Sequence, residues 1–219
     1  MTMPKIFIVG GAGKVGRRLA QQLSERGHEP LSLYRKAEQR DELTALGATP
    51  IEGDLISLSV EDLADLMRGC DTAVFSAGAG GAGMEVTNAI DGAGLEKAVE
   101  AAKVAGIQRF LLVSVFPDAL RDQERKDDFE NYIKVKKLAD AYLVASGLDY
   151  VIVRPGTLTE ETGRGRVRAD LAIPYGEVPR DDVAAVLAEL VDRRPDVTRT
   201  IIELTEGEMP VSDAIARLA

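Results

Sequence analysis

Tyr132 and Lys136 have the residue types and the spacing that suit proton transfer. They stand four positions apart in residues 128–146, a segment whose pattern predicts a helix. At 100° per residue they share a stripe with Phe129 and Leu143, which makes Lys136 a charge on an apolar face. Lysine is rarely buried without a partner, and a nearby ammonium favours the phenolate of a tyrosine. We therefore predict that Tyr132 exchanges a proton with a substrate oxygen, although tyrosine on such a stripe is also common in a core.

Ser114 directly follows RFLLV at 109–113, a run of strand-forming residues. A hydroxyl at the end of a strand can donate a hydrogen bond to the same substrate oxygen and so orient the substrate for Tyr132. Serine is also common after strands in proteins that make no such use of it. Ser114, Tyr132 and Lys136 are therefore a hypothesis for a catalytic group, and it depends on the rest of the sequence.

A glycine-rich turn is the second chemical feature of the chain. Residues 5–16 read KIFIVGGAGKVG, which fits both G-x-x-G-x-x-G and G-x-G-x-x-G. Glycine permits a tight turn and lets a phosphate approach the backbone, and the free N–H groups of the following helix then face the anion. The strand before the turn and the helix after it favour a dinucleotide over a turn without a ligand. The expected contacts of its pyrophosphate are Gly10, Gly11, Ala12, Gly13, Lys14, Val15 and Gly16.

Arg35 indicates which dinucleotide is bound. An acidic residue about 20 positions after the glycines selects a ribose 2′-hydroxyl, and a basic residue there accommodates a 2′-phosphate. Arg35 lies 19 positions after Gly16 and is followed by Lys36, whereas the nearest acid is Glu38. Arginine suits phosphate because its planar donors pair with two oxygens at once. We predict that NADP(H) is favoured over NAD(H); the alternative is that Arg35 and Lys36 begin a solvated loop.

Small and polar residues follow the other strands of the pattern. Asp54 can accept a hydrogen bond from the adenine amine, although aspartate is also favoured in turns. Small residues after a strand let the backbone approach the ribose and the pyrophosphate, and Lys136 is expected to reach the nicotinamide ribose. The further predicted cofactor contacts are Asp54, Leu55, Ser76, Ala77, Gly78, Lys136 and Pro155.

The alternation of short β-rich runs with longer amphipathic segments predicts the architecture. Such alternation indicates a single doubly wound α/β domain over 1–219, with a mostly parallel sheet of about seven strands and helices on both faces. Ligands in such sheets bind outside the carboxyl ends of the strands. The predicted strands are 5–9, 30–34, 48–52, 71–75, 109–113, 149–153 and 200–204. The predicted helices are 14–26, 37–46, 59–68, 86–105, 128–146, 181–192 and 211–218.

Residues 157–180 form a long stretch without clear periodicity, which in a compact domain is typical of a substrate lid. Arg164, Arg166 and Arg168 alternate within it and would share one face of a short strand. That face could bind an anion, or it could be the charged edge that protects a sheet from pairing with other chains. We expect this stretch and the loop 115–127 to shape the substrate pocket.

Composition excludes several classes of protein. A net charge of −9 makes the surface repel nucleic acid and acidic membranes. One cysteine, Cys70, and one histidine, His28, cannot assemble a metal site, and a lone cysteine fits a reducing compartment. No signal peptide or membrane span is visible, so a cytoplasmic location is expected. Charged residues from Glu96 to Lys103 predict a solvated face on the helix 86–105; a monomer is favoured and a homodimer is the alternative.

Five segments together resemble a known family. The glycine turn 10–16, GDL at 53–55, LLVS at 111–114, Y-x-x-x-K at 132–136 and VIVRPG at 151–156 are similar to those of atypical short-chain dehydrogenase/reductases. Within that family they resemble the small NAD(P)H-binding subgroup related to flavin reductases and NmrA-like proteins. The resemblance covers nearly the whole chain, and the turn and the RPG segment are its specific parts.

The resemblance implies a Rossmann fold, bound NADP and a catalytic group. It implies that Tyr132 is the acid or base, that Lys136 lowers its pKa and that Ser114 positions the substrate. It also implies that Asp91 replaces the usual asparagine, unless Asp91 is a surface or cap residue. The expected function is an NADPH-dependent oxidoreductase acting on a small carbonyl, quinone or flavin-like molecule. The alternatives are a redox-sensing protein without turnover and, third, an epimerase or isomerase.

Overall fold

The computed structural model describes residues 3–120, 126–193 and 196–219, and strands alternate with helices along most of this length. The strands are β1 Lys5–Val9, β2 Glu29–Tyr34, β3 Thr49–Glu52, β4 Thr72–Phe75, β5 Arg109–Val113, β6 Asp149–Pro155, β7 Thr157–Thr159, β8 Arg166–Asp170, β9 Glu177–Pro179, β10 Thr200–Glu206 and β11 Met209–Pro210. The helices are α1 Lys14–Glu25, α2 Gln39–Ala45, α3 Val60–Met67, α4 Met84–Thr87, α5 Leu95–Ala105, α6 Asp127–Ala145, α7 Arg180–Asp192 and α8 Val211–Ala216.

One helical region departs from the regular α form. Between α4 and α5 the backbone forms a π-helix over Asn88–Gly94. The predicted helix 86–105 is therefore helical throughout, but its residues belong in turn to α4, the π segment and α5. π turns within helices are rare and occur mostly at functional sites. Across the three described ranges, no helix combines the length and the apolar character that crossing a bilayer requires.

The main sheet has nine strands in the order β11-β8-β10-β6-β5-β4-β1-β2-β3. The seven predicted strands are all present and run parallel, which confirms a doubly wound α/β domain. The predicted count of seven is wrong because β8 and β11 add an antiparallel edge. Strand β11 has two residues and β8 reads RVRAD, so neither carries the apolar run that marked the other strands.

Each face of the sheet is covered by its own core. Alternating side chains of β1 divide between them: Ile6 and Ile8 face one core, and Phe7 and Val9 face the other. Helices α1, α7 and α8 cover the first face, and α3, α5 and α6 cover the second. The chain crosses from one edge to the middle of the sheet between β3 and β4, so β1 lies between β2 and β4. That crossing is the switch point at which such folds bind ligands.

The stretch 157–180 is folded, and the short strand expected around its alternating arginines is present as β8 at the edge of the sheet. It contains β7, β8 and β9, and β7 and β9 form a separate parallel pair. Arg166 and Arg168 are exposed on β8 on either side of buried Val167, whereas Arg164 precedes the strand. Both guanidinium groups donate to Glu208: Arg164 to its side-chain carboxylate and Arg166 to its backbone carbonyl oxygen.

Asp182, in the first turn of α7, anchors this stretch. Its carboxylate is 2% exposed and accepts hydrogen bonds from the backbone N–H of Gly165 at 2.8 Å and of Arg164 at 3.2 Å. The neighbouring Asp181 accepts from the N–H of Gly163 at 3.0 Å. These hydrogen bonds are partly buried, and amides that lose a charged acceptor there are only partly compensated by water. The stretch is therefore held to α7 by polar contacts of its backbone.

We predict that Asp182→Ala lowers the free energy of unfolding by about 1–3 kcal/mol, because it leaves two backbone amides without an acceptor. The measurement is urea unfolding. Asp213→Ala is the matched control, since Asp213 is also in the first turn of a helix but is exposed; its cost should stay below about 0.5 kcal/mol. Equal losses in the two variants would contradict the anchoring role.

Candidate functional site

A cleft of about 780 Å³ lies at the carboxyl ends of the strands around the switch point. It brings together residues that are widely separated in the sequence, from the glycine turn to α6. The predicted residues that line it are Gly10, Ala12, Gly13, Lys14, Val15, Arg35, Asp54, Leu55, Ser76, Ala77, Gly78, Asp91, Ser114, Tyr132 and Lys136. The predicted contacts that do not line it are Gly11, Gly16, Lys36 and Pro155.

Two of the glycines outside the lining act through packing. A Cβ on Gly11 would lie 2.5 Å from the Cβ of Ser32, and one on Gly16 would collide with the carbonyl oxygen of Gly10. Gly10 itself has φ +82°, and a Cβ there would meet the backbone N of Ala77 at 2.5 Å. The turn is therefore pressed against β2, β4 and the start of α1, which leaves no room for a side chain.

The N-terminus of α1 is open toward the cleft. Its N-cap residue, Gly13, has no side chain to bond the first amides of the helix. Those N–H groups and the positive end of the helix dipole suit an anion. Gly13 and Lys14, at the cap and the first helical position, both line the cleft. This arrangement fits a pyrophosphate.

A charged cluster borders the cleft at the N-terminus of α1. Glu160 bonds Lys14 at 2.6 Å, Arg180 at 3.0 Å and Arg18 at 3.3 Å. The hydrogen bond from Lys14, with the charges of Arg180 and Arg18, lowers the pKa of the Glu160 carboxyl. Arg180 and Leu158 line the cleft and were missed by sequence reasoning, since they belong to the stretch without periodicity.

Arg35 directly follows β2 at the rim of the cleft. It is exposed and lines the cleft, whereas Lys36 points to Glu38 at 4.0 Å outside it. The loop is fixed by Gln39, whose Oε1 accepts from the N–H of Arg35 at 3.2 Å and of Lys36 at 3.0 Å. Gln39 also lines the cleft. The sequence contained no signal for it, because its role depends on the side chain folding back on the loop.

The loop 53–58 forms the opposite wall of this end of the cleft. The Asp54 carboxylate accepts from the N–H of Ile56 at 3.3 Å, so the turn role considered for Asp54 is present while the residue also lines the cleft. Lys97 on α5 donates to the carbonyl oxygens of Leu55 at 2.8 Å and Ile56 at 2.9 Å, and also to that of Leu58. The expectation that Lys97 belongs to a solvated face is therefore wrong.

Asp91 occupies the π segment and is buried. It is 2% exposed, and its Oδ2 accepts from the N–H of Ala79 at 2.9 Å in the glycine-rich loop after β4. Its Oδ1 lies 3.6 Å from the Nζ of Lys136, which is 3% exposed. A surface or cap role for Asp91 is thus excluded. The π segment places a carboxylate next to a buried ammonium.

Lys136 and Tyr132 have shifted pKa values, but the shift of Tyr132 is opposite to the expected one. Lys136 donates to the carbonyl oxygen of Val113 at 2.9 Å, and burial lowers its pKa while Asp91 and Asp140 oppose that effect. Burial raises the pKa of Tyr132, and the carboxylates of Asp91 and Asp140 raise it further. The expected lowering by Lys136 is not found. The raised pKa favours the neutral phenol of Tyr132 over the phenolate.

Ser114 also differs from expectation. Its hydroxyl donates to Asp140 Oδ1 at 2.6 Å, and both residues are 4% exposed. The other oxygen of Asp140 accepts from Arg154, at 2.9 Å from Nε and 2.8 Å from Nη2. Ser114 therefore does not have a free proton for a substrate oxygen. Asp140 stands four residues after Lys136 on the same helical face, a spacing that could have revealed it from the sequence.

The cleft near Tyr132 is largely apolar. Phe129, Val113 and Ile90 line it, and the rings of Phe129 and Tyr132 lie 6.1 Å apart. From the loop 115–127, Lys126 contributes to the lining, whereas residues 121–125 of that loop lie outside the described part of the chain. This end of the cleft therefore joins an apolar wall to a few charged side chains, among them Lys126 and Asp128.

Comparison with known proteins gives matches that cover most or all of the chain. Residues 10–194 match the model of a family described as NAD(P)H-binding. The "Uncharacterized sugar epimerase YhfK" of Bacillus subtilis is 37% identical over 98% of this chain and 100% of its own. Among solved structures, "Putative NAD-dependent epimerase/dehydratase" of Bacillus halodurans has a TM-score of 0.88 and 34% identity over 99% of this chain and 100% of its own. The oxidoreductase ylbE of Lactococcus lactis has a TM-score of 0.84 and 28% identity, with 98% and 96% covered.

We predict that Lys97→Met weakens NADPH binding about tenfold, because the three carbonyls of the loop 53–58 lose a charged donor. The measurement is the dissociation constant by calorimetry. Lys103→Met is the control: it removes an exposed pair with Glu100 on the same helix and should leave the constant within about twofold. A wild-type constant in Lys97→Met would show that the loop keeps its shape without the ammonium.

Proposed function

The chain belongs to the NAD(P)H-binding family, and from that premise we propose that it is an NADPH-dependent oxidoreductase. Its proposed substrate is a small carbonyl, quinone or flavin-like molecule. The observation that carries the proposal is that Tyr132 and Lys136 line the same cleft as the glycine turn. The proposed proton donor and the proposed pyrophosphate site thus lie in one cleft.

The proposed cofactor site uses the open end of α1 and Arg35. The amides of the first turn of α1 bind the pyrophosphate, and the Arg35 guanidinium pairs with a 2′-phosphate. Leu55 and Ile56 flank the adenine from the loop that Lys97 holds. NADPH, when bound, supplies a hydride to the substrate.

Tyr132 supplies the proton that reduction requires. Its phenol is protonated at neutral pH, because the pKa of tyrosine is ordinarily about 10 and burial raises it further, so Tyr132 is a donor rather than a base in the resting site. When a carbonyl is reduced, its carbon gains the hydride and its oxygen gains the phenol proton, which gives an alcohol. Lys136 lies one turn away on α6, where it donates to the carbonyl oxygen of Val113 and pairs with Asp91. Water reprotonates the phenolate that remains. A quinone or flavin is more electrophilic, and its reduction depends less on Tyr132.

A second candidate function is epimerisation. The relatives from Bacillus subtilis and Bacillus halodurans carry epimerase names and are 37% and 34% identical to this chain. An epimerase that retains its oxidised cofactor would need Tyr132 as a phenolate. The substrate carbon would lose a hydride to the cofactor and its hydroxyl would lose a proton to Tyr132, and both would then return, the hydride to the opposite face. Epimerisation leaves no net change in the redox state of the cofactor, whereas the proposed oxidoreductase converts NADPH to NADP⁺ in step with the substrate.

For the cofactor preference, we predict that Arg35→Ala raises the dissociation constant of NADPH about 10- to 100-fold, because a charge-assisted pair with phosphate is lost. Binding of NADH should change less than about twofold, since NADH has no 2′-phosphate. Lys36→Ala is the matched control, because Lys36 is the adjacent cation outside the cleft. Equal weakening of NADPH and NADH by Arg35→Ala would argue against the 2′-phosphate role.

For the reaction, we predict that Tyr132→Phe lowers kcat for an aldehyde or ketone about 10²- to 10⁴-fold, the usual contribution of a general acid. The dissociation constant of NADPH should stay near the wild-type value. NADPH oxidation is followed by absorbance across a panel of aldehydes, ketones, quinones and flavins. If the wild-type protein binds NADPH but oxidises it with none of them, the oxidoreductase proposal fails.

A further inference from the structure

The hydrogen bond between Ser114 and Asp140 has a fixed direction. A carboxylate paired with a guanidinium has only acceptor oxygens, so the proton in the 2.6 Å contact comes from the serine. Asp140 is held in this state by Arg154, which reaches its second oxygen through two nitrogens at 2.9 and 2.8 Å. A serine hydroxyl carries one proton, and in Ser114 that proton points away from the cleft.

With its proton donated to Asp140, Ser114 can offer a ligand only the lone pairs of its Oγ. Ser114 lines the cleft although it is 4% exposed, and its backbone N–H is taken by the carbonyl of Val153 at 2.7 Å. Neither its hydroxyl proton nor its amide proton is therefore available to a substrate. A lone pair at this position is satisfied by an O–H or N–H donor on the ligand, because a buried acceptor without a donor is costly.

Tyr132 presents the opposite chemistry to the same ligand. A tyrosine is a neutral phenol at neutral pH, because its ordinary pKa is about 10, and Tyr132 lines the same cleft as Ser114. The site thus offers a proton donor in Tyr132 and an acceptor in Ser114. A ligand that satisfies both carries an acceptor oxygen and, close to it, a hydrogen-bond donor.

We infer that Asp140 and Arg154 are positioning residues that hold Ser114 as a hydrogen-bond acceptor, so that the site selects carbonyl compounds with a neighbouring hydroxyl or N–H group. The carbonyl group of the substrate is taken from the proposed function, on which this inference rests. The hydrogen-bond donor of the substrate is inferred from the contacts of Ser114 alone. The role is the reverse of a serine that donates to the carbonyl oxygen. It makes Ser114 a determinant of specificity.

The test uses three aromatic ketones that suit the apolar wall of the cleft: 2-hydroxyacetophenone, 2-methoxyacetophenone and acetophenone. The methoxy compound lacks the donor, and acetophenone lacks both the donor and the added bulk. Dissociation constants are measured by calorimetry with saturating NADP⁺, and kcat/KM is measured with NADPH. The wild-type protein should favour the hydroxyketone about tenfold or more over each of the others in both measurements.

Two variants separate positioning from general support of the fold. Ser114→Ala should bring the three ketones to within about twofold of one another, mainly by weakening the hydroxyketone. The double variant Asp140→Leu/Arg154→Met removes both charges together, so neither is left buried alone, and it should erase the same preference by releasing the Ser114 proton. If the double variant does not fold, Ser114→Ala decides. Ser146→Ala, a hydroxyl deletion at the end of α6 outside the cleft, is the control.

The outcomes distinguish this inference from the proposed function. Preferential binding of the hydroxyketone without oxidation of NADPH would refute the oxidoreductase and keep the acceptor role of Ser114. Equal binding of the three ketones by the wild-type protein, or binding of none, would overturn the inference. So would a Ser114→Ala variant that weakens all three ketones by the same factor.

Discussion

The burial of the Lys136 ammonium is the constraint that organises the site. A cation that is 3% exposed needs partners, and it finds the carbonyl of Val113 at the end of β5 and the carboxylate of Asp91. Asp91 in turn accepts from Ala79 in the loop after β4. One charge therefore joins α6, two neighbouring strand ends and the π segment. The π segment, residues 88–94, carries the carboxylate that pairs with this ammonium.

Much of the fold could be predicted from the sequence. Apolar runs such as KIFIV and RFLLV marked β1 and β5 at their observed bounds, because buried parallel strands must be apolar on both faces. The antiparallel edge could not be predicted in the same way. Strand β8 is charged on its outer face, and its pairing with β10 depends on the chain returning over a distance that local pattern does not contain.

The site was predicted in part, and the errors share a cause. The glycine turn, Arg35 and the Tyr132 and Lys136 pair could be found because each has a fixed spacing within one strand-to-helix unit. The direction of the Tyr132 pKa and the partner of Ser114 could not be found, because they depend on Asp140 and on contacts between elements. Type and spacing locate a group, and the charges packed around it decide its protonation.

The position of Lys97 bears on how the loop 53–58 responds to the salt in the surrounding solution. Several carbonyl oxygens converging on one point form the kind of cage in which a free monovalent metal ion would sit, and here an ammonium tethered to α5 fills it. A tethered ion cannot diffuse away or be exchanged. The loop 53–58 therefore keeps its shape whether the surrounding solution is rich in sodium or in potassium.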